Sequence, residues 1–148
     1  MPYVLSILLA GVCVFAQAAD AQVRINTLTK VCQEAVVEAE QGAPNTRVHA
    51  VALNNLASLY YVQGHYGQVE SLYQRALAMR EHAPGPTHPQ VASTLTDLAV
   101  LYDAQGYYGQ AESLYERAWA IREQSLGTNH PDTKKSRDNL AAIRAKMP

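Results

Sequence analysis

The chain is predicted to be all-α, a stack of antiparallel helix pairs built from an internal repeat. Three observations predict it. Residues 53–82, LNNLASLYYVQGHYGQVESLYQRALAMREH, align without a gap on residues 95–124, LTDLAVLYDAQGYYGQAESLYERAWAIREQ, and 19 of the 30 positions are identical at an offset of 42. Within each copy the apolar residues recur every three or four positions. Between the copies lie segments rich in Gly and Pro. A repeat period of roughly 20–50 residues marks architectures in which each unit leans its apolar face on the next. Such a stack offers a surface for binding rather than a centre for reaction.

The first 19 residues, MPYVLSILLAGVCVFAQAA, hold no charged side chain. Residues 4–15 are apolar except for Ser6, a run as long as a signal-peptide core and short for a membrane span. Ala16-Gln17-Ala18 supplies the small-x-small pattern of a signal peptidase site, so residues 1–18 are expected to be a signal peptide cut after Ala18. The usual Lys or Arg near the start is missing, and the alternative is an N-terminal anchor that is not cleaved. The expected location is therefore periplasmic or secreted, with membrane attachment only in the uncleaved case. Leu9-Ala10-Gly11-Val12-Cys13 departs from a lipoprotein signal because Val12 separates the Gly from the Cys. Loss of Cys13 with the signal leaves Cys32 alone on an apolar helical stripe, where it reads as a small buried hydrophobe.

Residues 22–41 are expected to form a helix that lacks its partner. Residues 31–38, VCQEAVVE, line up with residues 72–79, LYQRALAM, at an offset of 41, which makes this segment the second helix of a pair. The first complete unit covers residues 47–82 and the second residues 89–124. Leu53, Leu56, Ala57 and Tyr60, matched by Leu95, Leu98, Ala99 and Tyr102, give the i, i+3, i+4, i+7 face of the first helix in each unit. Gly64 and Gly106 mark the turn. Leu72, Tyr73, Ala76 and Met79, matched by Leu114, Tyr115, Ala118 and Ile121, give the second helix. Ala57 and Ala99 fall where the two helices approach most closely, and a larger side chain there would overpack the contact. Pro89 and Pro131 suit the first turn of a helix, where a missing N–H costs nothing. Residues 131–146 are expected to be a capping helix: Leu140-Ala141 repeats Leu98-Ala99, but Arg137 and Arg144 replace Leu95 and Tyr102.

Taken together, Leu98-Ala99, Tyr102, Gly106, Tyr108, Ala111, Tyr115 and Ala118 resemble the tetratricopeptide repeat, as do Leu56-Ala57, Tyr60, Gly64, Tyr66, Val69, Tyr73 and Ala76. The 42-residue period, His-Pro before the first helix and Ala-x-x-Ile-Arg-Glu at the end of the second are similar to the subtype typified by kinesin light chains, which is also abundant in bacteria. The resemblance implies a right-handed superhelical α-solenoid. It also implies a concave groove, lined mainly by the first helix of each pair, that binds a peptide or a helix of a partner protein.

The non-core face of those helices carries the candidate partner-binding residues. They are Asn54, Asn55, Ser58 and Tyr61 in the first unit, Thr96, Asp97 and Asp103 in the second, and Lys135, Asp138 and Asn139 in the cap. Asn and Asp at repeat intervals suit hydrogen bonds to an extended backbone, and Tyr adds apolar area; the bland alternative is an ordinary solvated face. A second function reading is structural, with the incomplete ends pairing chain to chain to build an oligomer.

Other chemistries find little support. With 12 basic and 13 acidic residues the total charge favours no nucleic acid, and most of the nine Tyr recur at repeat positions, where packing explains them. His88 and His130 stand one repeat apart, whereas zinc ligands converge within about 2 Å of one ion. They read as helix caps, and no metal or cofactor is expected. Ser71 and Ser113 recur without a paired base, and no phosphate loop or nucleophile elbow is present, so no enzymatic activity is expected. The basic tail (Lys134, Lys135, Arg137, Arg144, Lys146) reads as a solvated cap.

Overall fold

Helices, each followed by the one it packs on, account for the whole arrangement. The computed structural model describes residues 2–41 and 46–148, with side chains described from Asp20 onward except at positions 39 and 46. The described residues form α1 (Pro2–Gln41), α2 (Thr46–Val62), α3 (Tyr66–His82), α4 (Pro89–Ala104), α5 (Tyr108–Leu126) and α6 (Pro131–Lys146), and no strand. The pairs α2/α3 and α4/α5 are the two complete units. α1 precedes them as a second helix and α6 follows as a first helix. Of the segment 1–18 expected to be a signal, residues 2–18 lie at the start of α1, and residue 1 and the side chains of the rest lie outside what is described. Among the described residues no helix is long and apolar enough to cross a membrane.

The turn inside each unit follows from its glycine. Gly64 and Gly106 hold φ of +77° and +81°, a left-handed conformation that side chains with a Cβ disfavour. This lets the His65 N–H reach the Tyr60 carbonyl at 2.9 Å and the Tyr107 N–H reach that of Tyr102 at 2.8 Å, satisfying carbonyls the helix end would leave bare. Between units the histidines act as caps. The His88 Nδ1 accepts from the Gln90 N–H and the His130 Nδ1 from the Asp132 N–H, both at 3.2 Å, with Pro89 and Pro131 in the first turn.

The core is continuous from end to end. Val36 of α1 packs with Leu53, Leu56 and Ala76. Ala57, Val69 and Tyr73 then meet Leu98 and Leu101 of the next unit. Leu95 packs on Ala118 and Ile121. Ala99 lies fully buried against Ala111 and Tyr115, where α6 adds Leu140 and Ile143. Each of the four inner helices thus buries area against both neighbours, which is how a linear stack stays folded.

On the convex side a ladder of ion pairs joins successive second helices: Arg75 to Glu40 at 2.5 Å, and its repeat equivalent Arg117 to Glu81. Arg137, exposed on α6, occupies the place of fully buried Leu95; no further second helix among the described residues covers it. Arg144 does more than solvate an end. Tyr102 donates to Glu70 on α3 at 2.7 Å, and Arg144, one period later, reaches the equivalent Glu112 at 2.7 Å and also Glu116. An ion pair replaces the phenol–carboxylate bond in the same place.

Candidate functional site: the concave groove

The polar residues along α2 and α4 form a network that the helical pattern did not reveal. Its centre is Arg80, a buried guanidinium near the end of α3. Its Nη1 donates to the Gln90 carbonyl at 3.2 Å, to the Asn54 Oδ1 at 3.3 Å and to the Thr94 hydroxyl. Asn54 in turn gives its Nδ2 to the Asp97 Oδ2 at 3.1 Å, so one side chain ties α2, α3 and α4 together. Burial lowers the Arg80 pKa; the nearby Asp97 partly offsets that. One period on, Arg122 does the same work, donating to Thr96 at 3.3 Å and to Ser136 of α6 at 2.5 Å. A buried polar network of this kind is costly to break, since each lost partner leaves a desolvated group behind.

Asp97 is half-buried, and desolvation raises its pKa above the ordinary 3.8 even though Asn54, Arg80 and Arg122 all favour the charged form. Beside it Ser58 shares a 3.1 Å hydrogen bond with the Tyr73 hydroxyl while its Oγ also donates to the Asn54 carbonyl at 3.0 Å. Tyr73 has a raised pKa, chiefly from burial. At the equivalent place in the second unit Val100 stands where Ser58 does. Tyr115 therefore has no such hydroxyl partner, and burial pushes it up to about 12, with Asp103, Tyr61 and Asp97 adding to the rise. Ser58, Tyr61, Val62, Tyr73, Asp97 and Val100 line an open depression of about 220 Å³ between α2 and α4.

Of the residues expected on this face, Ser58, Tyr61 and Asp97 line the depression and Asn54 adjoins it through its bond to Asp97, whereas Thr96 belongs to the equivalent network one period on, bonded to Arg122. Tyr61 packs its ring 5.3 Å from that of Tyr66. Asn55 is exposed on α2 and is not among the residues that line the depression. Asp103 is engaged by Lys146, whose Nζ lies 2.7 and 2.8 Å from its two oxygens and 5.9 Å from the Tyr108 ring centre. On α6, Lys135 is exposed, Asp138 is exposed 3.7 Å from Arg137, and Asn139 is half-buried. Arg80, Thr94, Tyr73, Arg122 and Lys146 were not among the expected groove residues. Arg80/Arg122 and Tyr73/Tyr115 recur one period apart, and that recurrence in polar side chains was the available signal. Among the described residues no group of three or more His, Cys, Asp or Glu is placed to hold a metal ion.

The antiparallel pairs, the left-handed glycine turns and the capped His-Pro junctions define a helical-repeat solenoid of the tetratricopeptide class. The tetratricopeptide repeat family model matches residues 48–124, more than half of the chain, and the chain belongs to that family. Its structure is similar to BtubC (BKLC) from P. vanneervenii, with a TM-score of 0.77 and 25% identity over 88% of this chain and 53% of that one. It is also similar to a kinesin light chain protein of Podospora anserina with nearly identical TPR-like repeats, with a TM-score of 0.73 and 20% identity over 87% of this chain and 62% of that one. The chain thus spans between about half and three-fifths of these neighbours' lengths. No curated protein matches it.

Proposed function

We propose that this chain is a protein-interaction module that holds a peptide or a helical segment of a partner in its concave groove. The observation that carries the reading is the open depression between α2 and α4. Apolar Val62 and Val100 are exposed at its rim (70% and 38%), while polar Asp97 and Ser58 line it. Exposed apolar area beside fixed polar groups is the composition of a recognition surface. Two complete units offer modest area, so affinity in the micromolar range, about 8 kcal/mol, is expected. The test is capture of partners from the native compartment by wild type, by Val100→Glu in the groove and by Ala120→Lys, an exposed α5 position away from it. Loss with Val100→Glu alone supports the groove; a partner retained by Val100→Glu and lost with Ala120→Lys moves the site elsewhere.

A second reading, self-association through α1, is favoured by one observation. Leu28 and Val31 are 54% and 55% exposed, while Leu28's equivalent at the offset of 41, Val69, is fully buried and Val31's, Leu72, is half-buried. Light scattering decides it: a monomer at micromolar concentration removes this reading, and an oligomer lost with Leu28→Lys supports it. For location, export with cleavage after Ala18 is the proposal. A mature chain starting at Ala19 in N-terminal mass analysis supports it, and an intact Met1 recovered with membranes establishes the anchor instead.

A further inference from the structure

We propose that the depression between α2 and α4 receives a basic side chain, lysine or arginine, from the segment held in the groove, with the Asp97 carboxylate as its counter-ion. This rests on the groove reading above and adds the chemistry of the partner to it. The shape fits. The space of about 220 Å³ has Val62 and Val100 at its rim and the Tyr61 and Tyr73 rings in its wall, surfaces suited to an aliphatic stem. At the end of that stem a cation meets a carboxylate beside the face of a tyrosine, where ring and charge both attract it.

Asp97 has the capacity for such a bond. Among the described residues its Oδ2 is engaged by Asn54, while Arg80 and Arg122 act on it only through space: neither forms an ion pair with it, and their hydrogen bonds go to Thr94, Asn54 and the Gln90 carbonyl and to Thr96 and Ser136. The raised pKa of Asp97 is consistent with a carboxylate whose burial outweighs the help it receives. An apolar side chain docking there would bury the carboxylate further without compensation, and an acidic one would repel it. The chain itself carries the corresponding pairing at the end of α4. There Asp103 is closed by Lys146 at 2.7 and 2.8 Å, with the ammonium 5.9 Å from the Tyr108 ring centre.

The experiment is an NMR titration of the ¹⁵N-labelled protein with pentapeptides of sequence acetyl-Ala-Ala-Xaa-Ala-Ala-amide, where Xaa is Lys, Arg, norleucine or Glu. The Lys and Arg peptides are expected to shift the amide signals of Ser58, Asp97 and Val100 and to bind about tenfold tighter than the norleucine peptide. Asp97→Asn keeps an oxygen to accept from Asn54 while losing the charge, and it should abolish that margin. Val62→Lys, at an exposed position, supplies a competing cation and should reduce it without touching the network. Equal binding of norleucine, absence of binding by every peptide, or a margin that survives Asp97→Asn overturns the proposal. Partner capture separates this failure from that of the groove: a partner lost with Val100→Glu but kept by Asp97→Asn leaves the groove standing and removes the cation.

Discussion

Asn54 on α2 donates its side-chain amide to Asp97 on α4 at 3.1 Å, and with its oxygen accepts from Arg80 on α3. This pairing fixes the register of one repeat on the next through atoms that line the groove, so stability and recognition share the same residues. Removing Arg80 takes a donor from the Asn54 oxygen, the Gln90 carbonyl and the Thr94 hydroxyl at once, and the single Thr94 hydrogen can serve only one of the first two. Arg80→Ala is expected to destabilise the fold by about 2–4 kcal/mol in urea melts. Arg75→Ala removes only an exposed ion pair to Glu40 and should stay within about 0.5 kcal/mol. Equal losses from the two substitutions would contradict the assigned network.

Asp97 makes stability depend on pH in an unusual direction for a carboxylate. Its folded pKa lies above the ordinary 3.8, so between that value and the raised one the folded chain holds the proton more tightly than the unfolded chain. Stability then falls as pH rises through this window. Wild type compared with Asp97→Asn in melts across acidic pH should show a difference that moves against wild type with rising pH. A difference moving toward wild type would mean the carboxylate is well paired.

The two equivalent tyrosines should respond differently to loss of their hydroxyls. Tyr73→Phe gives up the bond to Ser58 and is expected to cost about 1 kcal/mol. Tyr115→Phe should be nearly neutral at pH 7. The Tyr115 pKa, pushed up from 10.0 to about 12, makes wild type lose stability as pH rises through that interval, and Tyr115→Phe should be relieved of this alkaline loss. Melts at pH 7 and at alkaline pH on both variants check it; alkaline sensitivity unchanged in Tyr115→Phe would place the titrating group elsewhere.

Glycine roles divide by conformation. Gly106→Ala must hold φ near +81° and should cost about 1 kcal/mol, although a Cβ there meets no neighbour. Gly109→Ala lies in the first turn of α5, equally open and without positive φ, and should gain about 0.5 kcal/mol. Thermal melts of the two single variants distinguish backbone strain from packing.

The fold was legible in the sequence because Leu, Ala, Tyr and Gly at the packing and turn positions recur with the repeat, and periodicity reports directly which face is buried. The site was legible only as a face. Thr96 reads in sequence as a partner-binding residue of the groove; that its hydroxyl accepts from Arg122 and donates to the Ala92 carbonyl at 2.9 Å is visible only in the fold. Lys146 read as solvated tail, yet it lies on Asp103, 43 residues away. Such pairings join residues whose separation depends on how the helices stack, and a helical wheel contains no term for the neighbouring wheel.

Partners are expected to meet this chain at the groove between α2 and α4, and photo-cross-linking in the native host locates the contact, with benzoylphenylalanine placed singly at Asn55, Val100 or Ala120. Val100 lines the depression, Asn55 is exposed on α2 and Ala120 is exposed on α5. Binding in the groove gives a shared partner adduct from Asn55 and Val100 and none from Ala120. An adduct from Ala120, with Asn55 and Val100 silent, would contradict it.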